Sequence, residues 1–479
     1  MIESFARNAS GLGGHTSEMK KETIRNMICP YCLGSFSIVT VIKGSPTRVE
    51  YGLVKCGCFE FPIIEGVLML ALSKGYGGAE EYLQPYVAIQ AAAITMIKRS
   101  DINSFKVWIR NTAPLVARLC SFGESYCTYG EYIAYYDRQL RRAIVSYLRS
   151  ESKYVVLGGR TSHELNHTKL CDNWYYSRFI TPRAARLRHQ VFSAIAKGRI
   201  LSLCCGHGIV EHHLSGHVRG SEIVSIDGQL INLLIVRKFI NPCGDFICHD
   251  LQLSLPFRDS YFQSSVSSTC IPEIPAHATF IKEAVRVTSD DGCTLLDSIW
   301  AAPGRRIDPL RYYRFCQNEF DSRESILRLL LKCADGRSVK LYFPENVLDR
   351  VWASGPDWNR VLTESTDPYI SALIGDAYRE VPLSNALLCQ TDMKKLHLCP
   401  LYRIVKTDLD TLHLRRKPTA YGPSLVSPEP SMLPEQFTIA RSRLADWSYL
   451  TTLFQYGVLN VLPTTFGAKS PSLRSLSRL

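Results

Sequence analysis

The sequence has no apolar run long enough to cross a bilayer. Its longest, Tyr86 to Ile97 (YVAIQAAAITMI), falls short of the ~20 residues a spanning helix needs. It has no opening stretch in which basic residues lead into an apolar segment, so no secretory leader is expected. Acidic excess is also missing: 56 Lys and Arg stand against 44 Asp and Glu, a formal charge of +12. Nor is there one long basic run, and charge spread thinly over a large surface acts mainly through solubility and weak attraction for anions. The 17 cysteines are odd in number and show no small-scaffold disulfide pattern. Together these absences predict a cytoplasmic chain whose cysteines are thiols or metal ligands. What is present is ordinary globular composition, 46% hydrophobic and 21% charged over 479 residues. That is enough chain for several domains of roughly 150 residues each.

Residues 1–27 are rich in Gly, Ser and charge and read as a flexible tail. A compact unit follows over 28–75. Cys29-Pro-Tyr-Cys32 opens it and Cys56-Gly-Cys58 closes its cysteine pairs, with SFSIVTVI and TRVEYGLVK between them around a Lys43 to Pro46 turn. The pattern predicts a β-hairpin bracketed by two cysteine pairs. Zn²⁺ favours four such thiolates in a tetrahedron, and a unit this small needs a metal to help hold it. Cys29, Cys32, Cys56 and Cys58 are the expected ligands of a structural zinc ion, although C-x-C is tighter than the usual C-x-x-C. The sequence CPYC followed by CGCFEFPIIEGVLML resembles the zinc-ribbon module of the Trm112-like family, which implies a methyltransferase-partner role and the possibility of a protein partner.

Residues 76–185 carry apolar residues at three- and four-residue spacing, interrupted by Pro85 and Pro114, and predict a helical cap or lid. Tyr126, Tyr129, Tyr132, Tyr135 and Tyr136 are read as packing, with a pocket lining as the alternative. Arg178, Arg183, Arg186 and Arg188 form the densest basic group, read as the solvated face of a helix ending at Gly198.

Residues 186–410 hold the core. RILSLCCGHG, SEIVSID, GDFIC, YFQSSVSS and GCTLLDS are short apolar runs separated mostly by helical stretches. This alternation predicts a parallel sheet with helices on both faces, and ligands at the carboxyl ends of its strands. Gly206 and Gly208 allow a sharp turn after the first strand. Asp227 ends the second strand and can accept two ribose hydroxyls. Glu211 stands where a dinucleotide fingerprint needs a glycine, which argues against NAD. Asp250, past the third strand, can accept an adenine amine. His213 and His217, four residues apart, are read with His207 and His212 as ordinary histidines rather than metal ligands.

Residues 199–300 resemble the class I S-adenosylmethionine-dependent methyltransferases. ILSLCCGHG is similar to their first motif, SIDGQ to the acid after their second strand, CHDLQLSLPFRDSYF to their adenine-side acid, and EAVRVTSDDG to their Glu-x-x-Arg-Val turn. The resemblance implies a Rossmann-like α/β fold: a seven-stranded, mostly parallel sheet, with the small zinc-ribbon β module and helical additions attached. It implies S-adenosyl-L-methionine as cofactor, held by Ser202, Cys204, Gly206, Gly208, Asp227, Gly228, Asp250, Leu251, Ser268 and Thr269. Two of these depart from the family, which has an acid where Ser202 stands and a glycine where Cys204 stands. In the loop after the fourth strand, Glu273 and His277 are the nearest candidates for a catalytic base, and Tyr175 is a more distant one.

The sixth and seventh strands are expected at RSVKLYF and at Leu401 to Thr407, with an insertion near 344–398 between them. Residues 411–479 read as a Pro/Ser-rich linker and a basic C-terminal tail. The expected function is methyl transfer to a small-molecule or glycan/lipid-precursor acceptor. An rRNA or tRNA methyltransferase, and a non-catalytic zinc-containing scaffold on a degenerate core, are the alternatives.

Overall fold

The computed structural model describes residues 18–70, 86–120, 131, 132, 135, 198–214, 218–268, 270, 271, 274, 276–300, 322–342, 369–375, 396–399, 402–416, 435–455, 458–461 and 472–476. The N-terminal unit supplies β1 (Met19–Lys20), α1 (Lys21–Arg25), β2 (Ser37–Gly44), β3 (Arg48–Lys55), β4 (Glu60–Ile64) and β5 (Val67–Met69). β2 and β3 form the expected antiparallel hairpin. Three helices follow: α2 (Tyr86–Lys98), α3 (Ile102–Thr112) and α4 (Pro114–Leu119). The Asp101 carboxylate accepts the Ser104 N–H at 2.9 Å and caps α3. Pro114 starts α4, where a missing N–H costs nothing.

The core then runs β6 (Ile200–Leu203), α5 (Ile209–Leu214), β7 (Ile223–Asp227), α6 (Leu230–Ile235), a π-helical turn at Val236–Ile240, β8 (Asp245–Cys248), β9 (Phe262–Ser268), α7 (His277–Arg286), β10 (Thr288–Trp300), α8 (Arg323–Cys333), β11 (Val339–Tyr342) and β12 (Tyr369–Ile374). Across the sheet these strands lie in the order β8-β7-β6-β9-β10-β12-β11. All are parallel except β12, which runs antiparallel to β10 and β11. Chain order reverses between β6 and β9. The crevice at such a switch point is where open α/β sheets bind ligands.

Two expectations are corrected here. The seventh strand is β12, inside the expected insertion. Tyr402 to Thr407 instead forms β14 (Tyr402–Thr407), which pairs with β15 (Thr411–Arg416), itself paired with β16 (Gln436–Ala440), in a separate sheet. The physical reason is the two-faced burial of ISALI in β12, where Ile370 to Ile374 are all buried. RIVKT, by contrast, is exposed apart from the half-buried Ile404. The sheet also does not stop at seven strands. β5 pairs in parallel with β8, Val67 opposite Phe246 and Met69 opposite Cys248, so β5, β4, β3, β1 and β2 extend it to 12. β8 would otherwise present an open row of unpaired backbone groups.

One hydrophobic core lies on each face of the sheet. Ile200, Ile223, Phe246 and Leu295 face helices α2 to α6 on one side, and Leu201, Val224, Ile247 and Leu296 face α7 and α8 on the other. The first core also takes in Leu412, Leu414, Ile439 and Leu459 from the C-terminal part. That part also contains β13 (Leu396–Leu398), α9 (Trp447–Gln455), β17 (Leu459–Val461) and α10 (Leu473–Leu476). Tyr132 is packed as expected, its hydroxyl donating to the Leu115 carbonyl at 3.2 Å. Tyr135 lies beneath the Arg118 guanidinium. The Arg178 to Arg188 group, Tyr126, Tyr129, Tyr136, Tyr175, His217, residues 1–17 and the 418–434 linker lie outside the described residues. No described helix is long and apolar enough to span a membrane.

Candidate cofactor cleft and metal cluster

The two cysteine turns meet. The sulfur atoms of Cys29, Cys32, Cys56 and Cys58 all lie within 4.8 Å of one another. A zinc–thiolate tetrahedron with bonds of ~2.3 Å has edges of about 3.8 Å, so the donor set and its spacing fit a zinc ion. Backbone N–H groups are already turned toward the sulfurs: Tyr31 N toward Cys29 Sγ at 3.4 Å, and Phe59 N toward Cys56 Sγ at 3.4 Å. The Cys32 thiol is drawn down to about 7, chiefly by the Gly34 N–H. In the C-x-C pair Cys58 reaches back across the turn to within 3.1 Å of Cys56.

At the head of β6 the chain turns through three left-handed residues, Cys204 (φ 53°), Gly206 (φ 51°) and Gly208 (φ 82°). For cysteine this conformation costs roughly 1–2 kcal/mol, which explains the family glycine. Gly208 must be a glycine for a second reason: a Cβ there would come within 2.9 Å of Val236 Cγ2. The structure joins Cys204 to Cys270 in a disulfide, Cα atoms 6.0 Å apart. This corrects the expectation of free thiols. The bridge links the loops after β6 and β9, the two strands flanking the switch point.

Asp227 ends β7, 6% exposed. Its carboxylate accepts the Gly206 N–H at 2.9 Å, the Gln229 N–H at 2.8 Å and the Asn232 amide at 3.1 Å. Burial holds its pKa above the usual carboxylate value despite these donors. Next to it, Cys248 Sγ lies 3.7 Å from the Gly228 carbonyl. Beyond β8, Asp250 accepts the Gln252 N–H at 3.0 Å in a local turn, and Leu251 is buried. The buried His249 ring stands 2.9 Å from the Ser254 carbonyl, and burial pushes its pKa down to about 4. It therefore stays neutral and donates to that carbonyl. The family-like Glu-x-x-Arg pair clamps the rest of the loop. Glu283 accepts the Leu255 N–H at 2.6 Å, while Arg286 donates to the carbonyls of Leu255 and Phe257 at 3.1 and 2.8 Å. Two residues on α7 thus fix the Leu-Pro-Phe run that follows Asp250.

On the other side of the crevice Ser268 ends β9 and donates to Asp297 Oδ2 at 2.8 Å. Ser371 of β12 donates to Asp297 Oδ1 at 2.7 Å. Asp297 was not singled out from the sequence, although an acid at the end of a predicted fifth strand is the signal that would have found it. Thr269 and Glu273 lie outside the described residues. His277 opens α7, its pKa lowered by burial, with the Ile271 backbone as an opposing influence.

Ser202 is fully buried rather than open to the cleft. It pairs with Ser225 in the sheet, and both face α5. Glu211 on α5 is turned inward onto them, where Ser225 Oγ donates to its Oε1 at 2.7 Å. Its carboxylate fills the space that a third fingerprint glycine would leave for helix–strand packing. The case against a dinucleotide thus rests on packing, not on a charge in the loop.

Residues 201–296 match the family profile described as a methyltransferase domain. No curated protein matches the chain in sequence. Among solved structures, one described as a methyltransferase from Bacillus halodurans C-125 is 18% identical, with 40% of this chain and 96% of that one covered and a TM-score of 0.28. An S-adenosylmethionine-dependent methyltransferase from Thermotoga maritima is 17% identical, covering 42% and 94%, at 0.30. A complex of the Haloferax volcanii Trm112 methyltransferase activator with a methyltransferase is 11% identical, covering 42% and 91%, at 0.32.

Proposed function

We propose that this chain, whose central segment is an S-adenosylmethionine-dependent methyltransferase domain, methylates a small-molecule or glycan/lipid-precursor acceptor and carries its own zinc module in place of a separate partner. The observation that carries the reading is the pair of acids at the ends of β7 and β8, Asp227 and Asp250, beside a switch point flanked by a left-handed turn. Asp227 would take the ribose hydroxyls, giving up the Asn232 or backbone donors it now holds. Asp250 and Leu251, on the loop clamped by Glu283 and Arg286, would take the adenine. Cys204, Gly206, Gly208 and Gly228 would line the path between, with Ser268 and Thr269 at its far side. When bound, the cofactor supplies an electrophilic methyl group. The protein's part is to align an acceptor with it and to receive a proton. Asp297, linked to Ser268 and Ser371, is a buried acid on the acceptor side of the crevice, and His277 at the start of α7 and Glu273 before it in sequence are the other candidates to receive a proton. Cys29, Cys32, Cys56 and Cys58 would hold a structural zinc ion.

Calorimetry with S-adenosylmethionine tests the reading. Saturable binding that is lost in Asp227→Ala supports it, and no binding by the folded, zinc-loaded protein sinks it. The acceptor class is tested with a tritiated methyl group on the cofactor and a cell extract as acceptor source. Label in the low-molecular-mass or lipid fraction is expected, and label that disappears on ribonuclease treatment would move the assignment to RNA.

A further inference from the structure

Glu211 is a buried acid that the roles above leave unused. It is fully buried on α5, directly over two serines that lie side by side on β6 and β7. One carboxylate oxygen takes the Ser225 hydroxyl, while Oε2 and the Ser202 hydroxyl are buried without hydrogen-bond partners. Ser202 nonetheless stands close enough to favour the charged carboxylate. A half-satisfied buried carboxylate needs an explanation, because its burial is costly unless a cation or donor offsets it. Asp227 on β7 and the Cys205 thiol in the turn are its titratable neighbours, and both interact with it unfavourably. The turn carrying Cys204 to Gly208 joins β6 to α5, so Glu211 lies just below the surface on which the ligand would rest. The proposed ligand has a net positive charge at that end, a sulfonium and an ammonium group against one carboxylate. Field from a buried charge is weakly screened over such a path.

Resting on the cofactor reading above, we propose that Glu211 is the positioning acid for the cofactor's cationic amino-acid end: the negative charge absent from β6 at Ser202 is supplied from α5, one layer beneath the glycine turn. Ser202 and Ser225 are then small because they make room for it. The residue acts through the turn and its field rather than by touching the reacting atoms.

The test is calorimetry of the full zinc-loaded chain with S-adenosylmethionine and with S-adenosylhomocysteine, which lacks the sulfonium charge. Glu211→Gln keeps the shape and the Ser225 contact. It should weaken S-adenosylmethionine binding about tenfold and S-adenosylhomocysteine binding less. Adding Ser202→Asp to Glu211→Gln should restore affinity to within about threefold. In the unaltered chain affinity should fall as pH drops through about 7, where burial places the Glu211 carboxyl, and Glu211→Gln should flatten that fall. Asp227 remains in both proteins, so the difference between the two profiles belongs to Glu211. Unchanged affinity in a folded Glu211→Gln protein overturns the proposal. So does an equal loss for both ligands, or a loss that Ser202→Asp leaves unrepaired, since either marks a packing role. Absence of binding by the unaltered chain would instead remove the cofactor reading itself.

Discussion

Glu65→Gln is expected to loosen the N-terminal module from the rest of the sheet. Glu65 sits in the left-handed turn between β4 and β5 (φ 52°), fully buried. Tyr51 donates to its Oε1, and Arg237 of the π-helical turn donates to its Oε2 at 2.9 Å. The two charged side chains are 0% and 7% exposed, so solvent screens little of their attraction. Breaking such a buried pair by removing one partner is strongly destabilising, at a cost of about 3–5 kcal/mol. Replacing both by apolar groups of similar size costs far less. Glu65→Gln alone should therefore destabilise the docking more than Glu65→Gln with Arg237→Met. A chain of this size does not unfold as one unit, so the readout should be local. The Leu70 amide donates to the Cys248 carbonyl at 2.8 Å across the β5–β8 seam. If its exchange follows local opening, its rate should rise by about 100-fold to about 4,000-fold in Glu65→Gln. Much of that rise should vanish in the double variant. A rise below tenfold, or costs that simply add, would refute the claim that this ion pair holds the seam.

Three further outcomes follow from the same geometry. A thiolate-competent chelator should strip one zinc per chain, measured by metal analysis, and should open the β2–β3 hairpin to protease before the β6–β10 core. Cys56→Ser should reproduce that order of cleavage without chelator. Because the Cys204–Cys270 bridge fastens the left-handed turn between the loops on both sides of the switch point, reduction should weaken S-adenosylmethionine binding, and Cys270→Ser should bind as weakly with and without reductant. Equal affinity of the unaltered chain in both conditions would show that the bridge does not hold the turn for the cofactor. Asp297→Asn should lower kcat by at least tenfold while leaving cofactor affinity within about twofold, as expected of a group that acts on the acceptor side and not on the nucleotide.

The order of β6 to β10 was legible because each strand is a short apolar run closed by a glycine, an acid or a serine. Asp227 and Asp250 were legible because they stand where those runs stop. The four-cysteine cluster could be read because spacing alone brings close cysteine pairs together. What stayed hidden is what depends on contacts between distant segments. Nothing in VLML announces that it pairs with DFIC, since a buried parallel strand has no alternation to fix its neighbour. β12 was passed over for Leu401 to Thr407 because both are short runs of strand length with β-branched residues, and the burial of both faces marks β12 as the sheet strand. Glu211 was read only as a departure from a dinucleotide fingerprint because its neighbours Ser202 and Ser225 meet it only once β6 and β7 are paired. Cys270 gave no sign of its partner 66 residues earlier.

The two departures from the family pattern at the head of β6 each have a neighbour that changes their meaning. Serine at 202 removes an acid, and Glu211 places one against the same point of the sheet from the opposite element. Cysteine at 204 forces a side-chain-bearing residue into a left-handed turn, and Cys270 from the next strand's loop fastens that turn. An eroded site would be expected to lose its residues independently, with no matching change across the crevice. Here both changes fall at the switch point, and both are met by a chemically suited partner from another element. Asp227, the adjacent acid, keeps three donors on its carboxylate. That pairing favours a rebuilt methionine end over a degenerate core. The distinction is measurable, since a rebuilt site should regain function when both members are exchanged together, as in Ser202→Asp with Glu211→Gln, and an eroded one should not respond at all.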